Sequence, residues 1–265
     1  MPFARTLHAG RIHYAERGEA ATGKRDDQHE QRLPVVLIHG AGASSAIWMM
    51  TLGRLGRTTR AVAIDLPGHG PSPAAESAQA PSIAGYRDAV GALAASLCLG
   101  PSVLVGHSMG ALVAIEAALA WPDKVAALVL CAAAPRLPVR DELLAIVREQ
   151  YERFPQWLAE RALSPAAKPG LRRAFAAAGV AAARENTLAD YAAIAACDLT
   201  ARVKALACPT TWLHGADDAI VPAPSAEIIG AHHTVIVVRG AGHILPVEAP
   251  AEVAAVTIQA AQRPA

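Results

Sequence analysis

Short apolar runs alternate with longer segments of helical spacing along most of this 265-residue chain. The apolar runs are rich in β-branched residues, as expected of parallel strands buried on both faces. They lie at 33–40, 60–65, 101–106, 125–133, 209–215 and 234–239. Helical spacing is clearest at 81–99 and at 250–261, the last helix. The pattern predicts an α/β fold with a doubly wound, mostly parallel sheet and right-handed crossovers.

The first 32 residues follow a different pattern. Residues 3–16 alternate between apolar and polar, which predicts a half-exposed strand pair with a turn near Gly10. The stretch from 18 to 32 is polar and is predicted to be a solvated loop.

The alternation of strands and helices stops between 135 and 206. This stretch has no convincing strand pattern, is dominated by Arg, Glu, Ala and Leu, and is interrupted by prolines at 155, 165 and 169. A long interruption of a parallel sheet that carries its own helical patterns is best interpreted as an inserted helical cap. We therefore expect a core domain formed by 1–134 and 207–265, with a cap at 135–206.

One strand pattern, at 101–106, breaks abruptly at 106–110 and is followed at once by helix-forming residues. The break reads Gly-His-Ser-Met-Gly, which matches the G-x-S-x-G nucleophile elbow in its strand-to-helix setting. Small residues at Gly106 and Gly110 relieve crowding at such a turn, and the helix N-terminus directs N–H groups toward the serine. The pattern predicts that Ser108 is a nucleophile.

A serine nucleophile requires a histidine base and usually a carboxylate that orients the histidine. His243 follows the last strand pattern in a glycine-rich loop, and Asp217 and Asp218 follow the strand before it. Because the carboxyl ends of parallel strands meet at one edge of the sheet, we expect these side chains near Ser108. The order Ser, Asp, His is also the one expected of this motif.

At this point the chain resembles the α/β-hydrolase fold superfamily over nearly its whole length. The motifs that carry the resemblance are at 39–42, 65–70, 106–110, 215–222 and 242–243. The resemblance implies that the triad acid, three residues after the strand-end glycine, is Asp218, with Asp217 as the alternative. It also implies an oxyanion hole formed by the backbone N–H groups of Ala41 and Met109.

These residues together predict a serine hydrolase that cleaves a carboxylic ester or related acyl bond through an acyl-enzyme, without cofactor or metal. Carbon–carbon bond hydrolases, thioesterases and lactonases have the same triad and remain alternatives. A non-catalytic receptor or a lyase on this fold is a further alternative. Haloalkane dehalogenases and epoxide hydrolases are disfavoured, because their resemblance would require aspartate in place of Ser108.

The substrate pocket is less determined by the pattern. We expect contributions from Gly40, Gly42, Trp48 and Trp157, and consider the Met109 side chain as a further lining group. Tyr151, Phe154 and Trp157 either contact substrate or form the core of the cap. The cap arginines are expected to be mostly solvated, although any could meet an acidic substrate: Arg136, Arg140, Arg148, Arg153, Arg161, Arg172 and Arg173.

The remaining histidines have simpler interpretations. Alternation along the strand points the His107 side chain away from the nucleophile, which predicts a role in structural packing. His39 and His214 precede strand-end glycines and are expected to stabilise loops, and His69 to tether its own loop. The adjacent pair at 232–233 lacks a third ligand at a spacing suited to zinc.

Composition narrows the class of partner. Hydrophobic residues make up 53% of the chain, and the formal net charge is +1 without a basic block. We expect a small-molecule substrate rather than nucleic acid or a membrane surface, and a soluble cytoplasmic protein, since no leader or membrane-spanning pattern is present. The four cysteines, at 98, 131, 197 and 208, are widely separated and are expected to be buried, reduced thiols. Oligomeric state has no signal in the sequence.

Overall fold

The computed structural model describes residues 3–6, 10–18, 32–74, 80–230 and 233–262. Within these ranges eight strands form one sheet in the order β1-β2-β4-β3-β5-β6-β7-β8. Their bounds are β1 Phe3–Thr6, β2 Gly10–Arg17, β3 Val35–Ile38, β4 Ala61–Ile64, β5 Ser102–His107, β6 Val125–Cys131, β7 Thr210–Gly215 and β8 Thr234–Val238. The strands from β3 to β8 pair in parallel, whereas β1 and β2 pair antiparallel and β2 is antiparallel to β4. The predicted doubly wound, mostly parallel sheet is confirmed.

The helices connect these strands. Their bounds are α1 Met49–Leu55, α2 Ile83–Ser96, α3 Met109–Ala120, α4 Asp141–Glu149, α5 Phe154–Arg161, α6 Pro169–Ala178, α7 Arg184–Ala195, α8 Ala226–Ile229, α9 Leu245–Glu248 and α10 Pro250–Ala260. Of the predicted strand pair at the start of the chain, both strands are found. Its turn, and residues 19–31 of the predicted loop, lie outside the described residues.

The sheet separates two hydrophobic clusters, because successive side chains of a strand point to opposite faces. Along β3, Val36 and Ile38 pack with α2 and α3 on one face. Val35 and Leu37 pack with α1 and α10 on the other. Burial of both faces explains why β3 to β7 read as continuous apolar runs rather than as alternating ones, whereas the edge strand β8 is apolar but mostly exposed.

Four helices, α4 to α7, lie between β6 and β7. Residues 135–206, all of which are described, contain no strand. The rings of Tyr151, Phe154 and Trp157 stack on one another, with centroids 6.1 Å and 6.2 Å apart, and Phe154 is buried. Three aromatic rings therefore pack together in this segment. Its division from the rest as a separate cap stays a prediction.

The environment of the cysteines differs from the expectation. Cys131 is buried, but Cys98 is exposed and Cys197 and Cys208 are half-buried. Cys98 follows α2 in a turn where its φ is 49°, so the chain direction there turns its side chain outward rather than into the core. All four are free thiols. Of the helices in the described ranges, none combines the length and apolar character needed to cross a membrane.

Candidate active site

Ser108 lies between β5 and α3 in a backbone conformation that few side chains adopt. Its φ is 52° and its ψ is −116°, and the turn is tight because α3 packs directly on the neighbouring strands. A Cβ at Gly106 would lie 2.3 Å from the carbonyl oxygen of Gly110, and a Cβ at Gly110 would lie 2.3 Å from that of Ile38. Only glycine fits at either position, and the strained turn presents Ser108 at the N-terminus of α3.

His243 lies in the loop between β8 and α9, and its imidazole Nδ1 is 3.0 Å from Oδ2 of Asp218. Because a carboxylate oxygen accepts, Nδ1 carries the hydrogen and Nε2 is left as the acceptor. The two side chains are almost completely buried, with 6% and 2% exposed. This is the histidine form that can take a proton from a serine hydroxyl.

The second oxygen of Asp218 is also occupied. Oδ1 accepts the backbone N–H groups of Ile220 at 2.8 Å and Val221 at 3.0 Å. Burial raises the pKa of Asp218, but the hydrogen bond to His243, its charge and these two N–H groups outweigh burial and hold the pKa below its usual value. Asp218 is therefore ionised at neutral pH and can stabilise a protonated His243.

Ser108 and His243 line the same cavity. In the described part of the chain no hydrogen bond joins the Ser108 hydroxyl to the imidazole. Such contacts are often loose until substrate binds. The geometry thus brings Ser108, His243 and Asp218 together at the carboxyl ends of β5, β7 and β8.

Asp217 has a different partner. Its Oδ2 accepts the hydroxyl of Ser164, at 2.6 Å, from the segment between α5 and α6. The neighbouring carboxylates thus point in different directions, one to His243 and one to the helical segment. The turn formed by Asp218 N–H and the Gly215 carbonyl, 3.2 Å apart, separates the two side chains.

A third carboxylate, Glu248, holds the backbone on both sides of His243. Its Oε2 accepts the N–H groups of Gly242 at 3.1 Å and Ile244 at 3.2 Å, and its Oε1 accepts that of Ser164 at 2.7 Å. Burial raises the pKa of Glu248 above its usual value, although these N–H groups oppose the rise. Glu248 was not among the predicted site residues. Its only local signal is an acidic residue in an otherwise apolar stretch five positions after His243.

Two backbone N–H groups are available beside Ser108. Those of Ala41, in the loop after β3, and Met109, the first residue of α3, have no hydrogen-bond partner among the described residues. Both Ala41 and Ser108 line the cavity, and Met109 directly follows Ser108. The positive end of the α3 dipole lies at the same point. The arrangement can accept a negatively charged oxygen.

The cavity at Ser108 has a volume of about 80 Å³. A water molecule needs about 10–15 Å³ of such space, so the cavity has room for about five to eight water molecules. Residues of the α4–α7 segment form much of its wall. The apolar side chains and Tyr191 that line it are Ala43, Ile47, Leu137, Pro138, Leu143, Leu158, Phe175, Tyr191, Ile194, Ile220, Val221 and Ile244.

The structure corrects several of the predicted pocket residues. Gly40 lines the cavity, but Gly42 does not, since its backbone is turned toward α7. Trp48 is completely buried against the core on the α1 side of the sheet and cannot contact a substrate. The Met109 side chain is likewise buried in the core. Trp157 lines a neighbouring cavity, not the one at Ser108.

That neighbouring cavity, of about 50 Å³, shares Pro138, Leu143 and Ile220 with the first. It contains Arg140 and Arg161, whereas none of the arginines in the described ranges lines the cavity at Ser108. Arg161 is paired there with Glu142, which lines the same cavity. Three other arginines of the segment have partners elsewhere: Arg136 lies 3.6 Å from Asp198, Arg153 donates to Gln150, and Arg172 donates to the carbonyls of Ala159 and Ser164.

The other histidines contact protein groups. His107 donates from Nε2 to the carbonyl of His243, at 2.9 Å, so its ring lies against the His243 loop; burial and the charge of His243 lower its pKa to about 3. His39 accepts the Leu66 N–H at 3.0 Å, and burial together with the charge of His69 lowers its pKa well below the usual value. Burial likewise lowers the pKa of His214. Of the adjacent pair, only His233 is described.

Asp190, on α7, is a further residue that the sequence analysis missed. Its fully buried Oδ2 accepts the Gly42 N–H at 2.9 Å and His69 Nε2–H at 2.8 Å, and its Oδ1 accepts the Tyr86 hydroxyl at 2.6 Å. Burial lowers the pKa of His69, but the hydrogen bond and charge of Asp190 and the Pro67 carbonyl raise it above the usual value. An isolated aspartate in an alanine-rich helix was the only available signal.

No set of three or more His, Cys, Asp or Glu side chains in the described ranges is arranged to hold a metal ion.

Comparison with known proteins identifies the family of this chain. Residues 35–256 match the model of the alpha/beta hydrolase family. The chain is 31% identical over 204 residues to a pimeloyl-[acyl-carrier protein] methyl ester esterase of Chromobacterium violaceum, covering 71% of this chain and 77% of that protein. It is 30% identical over 238 residues to the dihydrolipoyllysine-residue acetyltransferase component of an acetoin cleaving system of Pseudomonas putida, covering 83% of this chain but only 61% of that protein.

Solved structures show the same fold. A thermophilic esterase from Thermogutta terrifontis has a TM-score of 0.77 and 26% identity, with 96% of this chain and 95% of that chain covered. The enol-lactonase from Burkholderia xenovorans has a TM-score of 0.82 and 19% identity, with 98% and 99% covered. At that identity the second likeness concerns the fold alone.

Proposed function

Because the chain belongs to the alpha/beta hydrolase family, we propose that it is a serine hydrolase that cleaves carboxylic esters through Ser108, His243 and Asp218. The observation that carries the proposal is the 3.0 Å contact of His243 Nδ1 with a buried Asp218, together with the cavity that His243 and Ser108 both line. The proposed substrate is a small molecule, and no cofactor takes part.

The reaction follows from these positions. His243 Nε2 takes the Ser108 proton as Oγ attacks the ester carbonyl carbon, and the Ala41 and Met109 N–H groups stabilise the oxyanion that forms. His243 then gives the proton to the leaving alkoxide, which departs as the alcohol and leaves an acyl-enzyme. Water attacks the acyl carbon while His243 accepts its proton, and return of that proton to Ser108 Oγ releases the acid.

The cavity lining supports an uncharged, short acyl group. Its side chains are apolar apart from Tyr191, the histidines and Ser108, and no arginine or lysine of the part of the chain that the structure describes lines it. Burying a carboxylate there without a partner would be costly. Helices α4–α7, which supply much of the wall, act in this proposal as the cap that sets acyl preference.

Two measurements on the purified protein test the proposal. A fluorophosphonate should label Ser108, and short p-nitrophenyl esters such as the acetate and butyrate should be hydrolysed faster than the hemisuccinate. Ser108→Ala should lose labelling and reduce turnover to near background, while the exposed Ser96→Ala keeps both. Labelling without ester turnover would instead favour a receptor, or a hydrolase that cleaves a different acyl bond or a carbon–carbon bond.

The two neighbouring aspartates provide a matched pair for the role of the acid. Asp218→Asn removes the carboxylate on His243 and is expected to lower kcat by about 10³–10⁴-fold. Asp217→Asn affects only the contact with Ser164 and should retain most of the activity. Equal losses in the two variants would contradict the assignment of Asp218.

A further inference from the structure

We infer that Asp190 is a positioning residue that holds the oxyanion loop, defined as residues 40–43, from the helical segment between β6 and β7. The inference rests on the proposed function, because it concerns how Ala41 is oriented for that reaction. Asp190 does not line the cavity at Ser108 and contacts none of the triad side chains. Its effect would therefore be transmitted through the backbone of the loop.

Gly42 is tied to the α4–α7 segment on both sides. Its N–H donates to Asp190 Oδ2 at 2.9 Å, and its carbonyl accepts the N–H of Ala181 at 2.8 Å. Its φ is +65°, and a Cβ there would lie 2.9 Å from Cγ1 of Val180, so the segment packs directly on the loop. The loop has little freedom to move independently of α7.

Holding Gly42 constrains Ala41. The Ala41 carbonyl and the Gly42 N–H belong to one planar peptide, so the bond to Asp190 holds that peptide and restricts the ψ angle of Ala41. The Ala41 N–H belongs to the preceding peptide, whose Gly40 carbonyl contacts His39 Nδ1 and the Ala43 N–H within the same loop. The Ala41 N–H itself has no hydrogen-bond partner among the described residues, so its direction depends on how the two peptides on either side of Ala41 are held. An oxyanion donor is effective only when it is aimed before the charge develops. Asp190 contributes to this orientation by holding the second of the two peptides.

The network requires a carboxylate. Both nitrogens of His69 face acceptors, Nδ1 the Pro67 carbonyl at 3.1 Å and Nε2 Asp190 at 2.8 Å, an arrangement that favours the protonated ring. Its pairing with Asp190 is completely buried. Charge-assisted hydrogen bonds of this kind are shorter and stronger than neutral ones. The same oxygen, Oδ2, accepts hydrogen bonds from both His69 and Gly42. The ion pair with His69 therefore fixes the position of the oxygen that accepts the Gly42 N–H.

Asp190→Asn tests the inference. In one orientation the asparagine NH₂ group faces the two donors at Gly42 and His69, and both hydrogen bonds are lost. In the other orientation the amide oxygen replaces Oδ2, and both hydrogen bonds go to an uncharged acceptor. We expect kcat for a p-nitrophenyl ester to fall about 10- to 100-fold with KM nearly unchanged, since misplacement of about 1 Å has an effect of this size. Affinity for a boronic acid, which mimics the tetrahedral intermediate, should fall in parallel.

Asn186→Ala is the matched control. Asn186 lies one turn earlier on α7 and donates to the Gly68 carbonyl at 2.8 Å, so the change removes a hydrogen bond from the same helix without affecting Gly42. Its kcat and boronic-acid affinity should stay near wild type, even if its melting temperature falls. If Asp190→Asn does not fold, Asp190→Glu keeps the charge but displaces the carboxylate, and the same loss of kcat is expected.

The inference is overturned if a folded Asp190 variant has wild-type kcat and boronic-acid affinity, or if Asn186→Ala loses as much of both. Fluorophosphonate labelling of the wild type distinguishes failure of the positioning role from failure of the proposed function. A wild-type protein that is neither labelled nor active on esters refutes the hydrolase proposal itself. A labelled, active wild type matched by its Asp190 variants refutes only the positioning role.

Discussion

Glu248→Gln is expected to destabilise the protein and to slow turnover, because one carboxylate holds both neighbours of His243. Glu248 accepts three backbone N–H groups, those of Ser164, Gly242 and Ile244. Glutamine keeps a single acceptor oxygen, so its NH₂ group must face at least one of these donors. The variant therefore loses at least one hydrogen bond to a charged group and weakens the others.

The magnitude follows from that count. A hydrogen bond to a charged group contributes about 1.5–3 kcal/mol, so we expect the free energy of unfolding to fall by about 2 kcal/mol. For a protein of this size such a loss lowers the melting temperature by about 4–8 °C. Even where the amide oxygen stays on Gly242 and Ile244, a neutral acceptor holds these two N–H groups more weakly, so the backbone around His243 is less constrained and kcat should fall by up to about tenfold.

Calorimetry and ester hydrolysis, measured well below the melting temperature, check both effects. Glu252→Gln is the matched control, since it removes the same charge from an exposed position at the start of α10. It should change the melting temperature by no more than about 1–2 °C, equivalent to about 0.5 kcal/mol. If the Glu248 and Glu252 variants are indistinguishable in melting temperature and kcat, the three N–H contacts do not hold the His243 loop.

Two further predictions concern the His69 ion pair and the elbow. Because the folded-state pKa of His69 is raised, its contribution to stability is complete below about pH 6.5 and is lost as the pH rises through the folded-state pKa. The free energy of unfolding measured in urea should therefore decline over this pH range, and it should decline less in His69→Gln. Equal declines in the wild type and the variant would refute the linkage. Gly110→Ala places a Cβ 2.3 Å from the Ile38 carbonyl oxygen and should prevent stable folding. As the control, Gly53→Ala places a Cβ with no atom within 4 Å and should stabilise α1 by about 0.5–1 kcal/mol. A soluble Gly110→Ala protein with the melting temperature of the wild type would contradict the prediction.

Much of the fold could be predicted from the chain because its signals are local. Each buried strand is a short apolar run, and the elbow at 106–110 needs only its two glycines and a following helix. The positions of Ser108 and His243 at one sheet edge follow from a general rule of parallel topology. The fold class and the candidate nucleophile and base required no contact between distant residues.

Other features depended on the direction of individual side chains. Sequence order could not separate Asp217 from Asp218, since the turn after Gly215 sends one to Ser164 and the other to His243. Trp48 follows the His39-Gly40 loop closely, yet a short 3₁₀ helix directs its indole into the core. Exposure of Cys98 likewise depends on a turn with positive φ.

The sequence by itself determined the layers of the fold, the elbow serine and the histidine and carboxylates at its sheet edge, because each of these is encoded within a few consecutive residues. Only the tertiary structure decided which carboxylate meets His243, what lines the cavity, and that Asp190 and Glu248 accept backbone N–H groups of the loops beside it. Asp190 meets Gly42 across 148 positions and Glu248 meets Ser164 across 84. Contacts over such distances depend on how whole helices pack, which no local pattern of polar and apolar residues records.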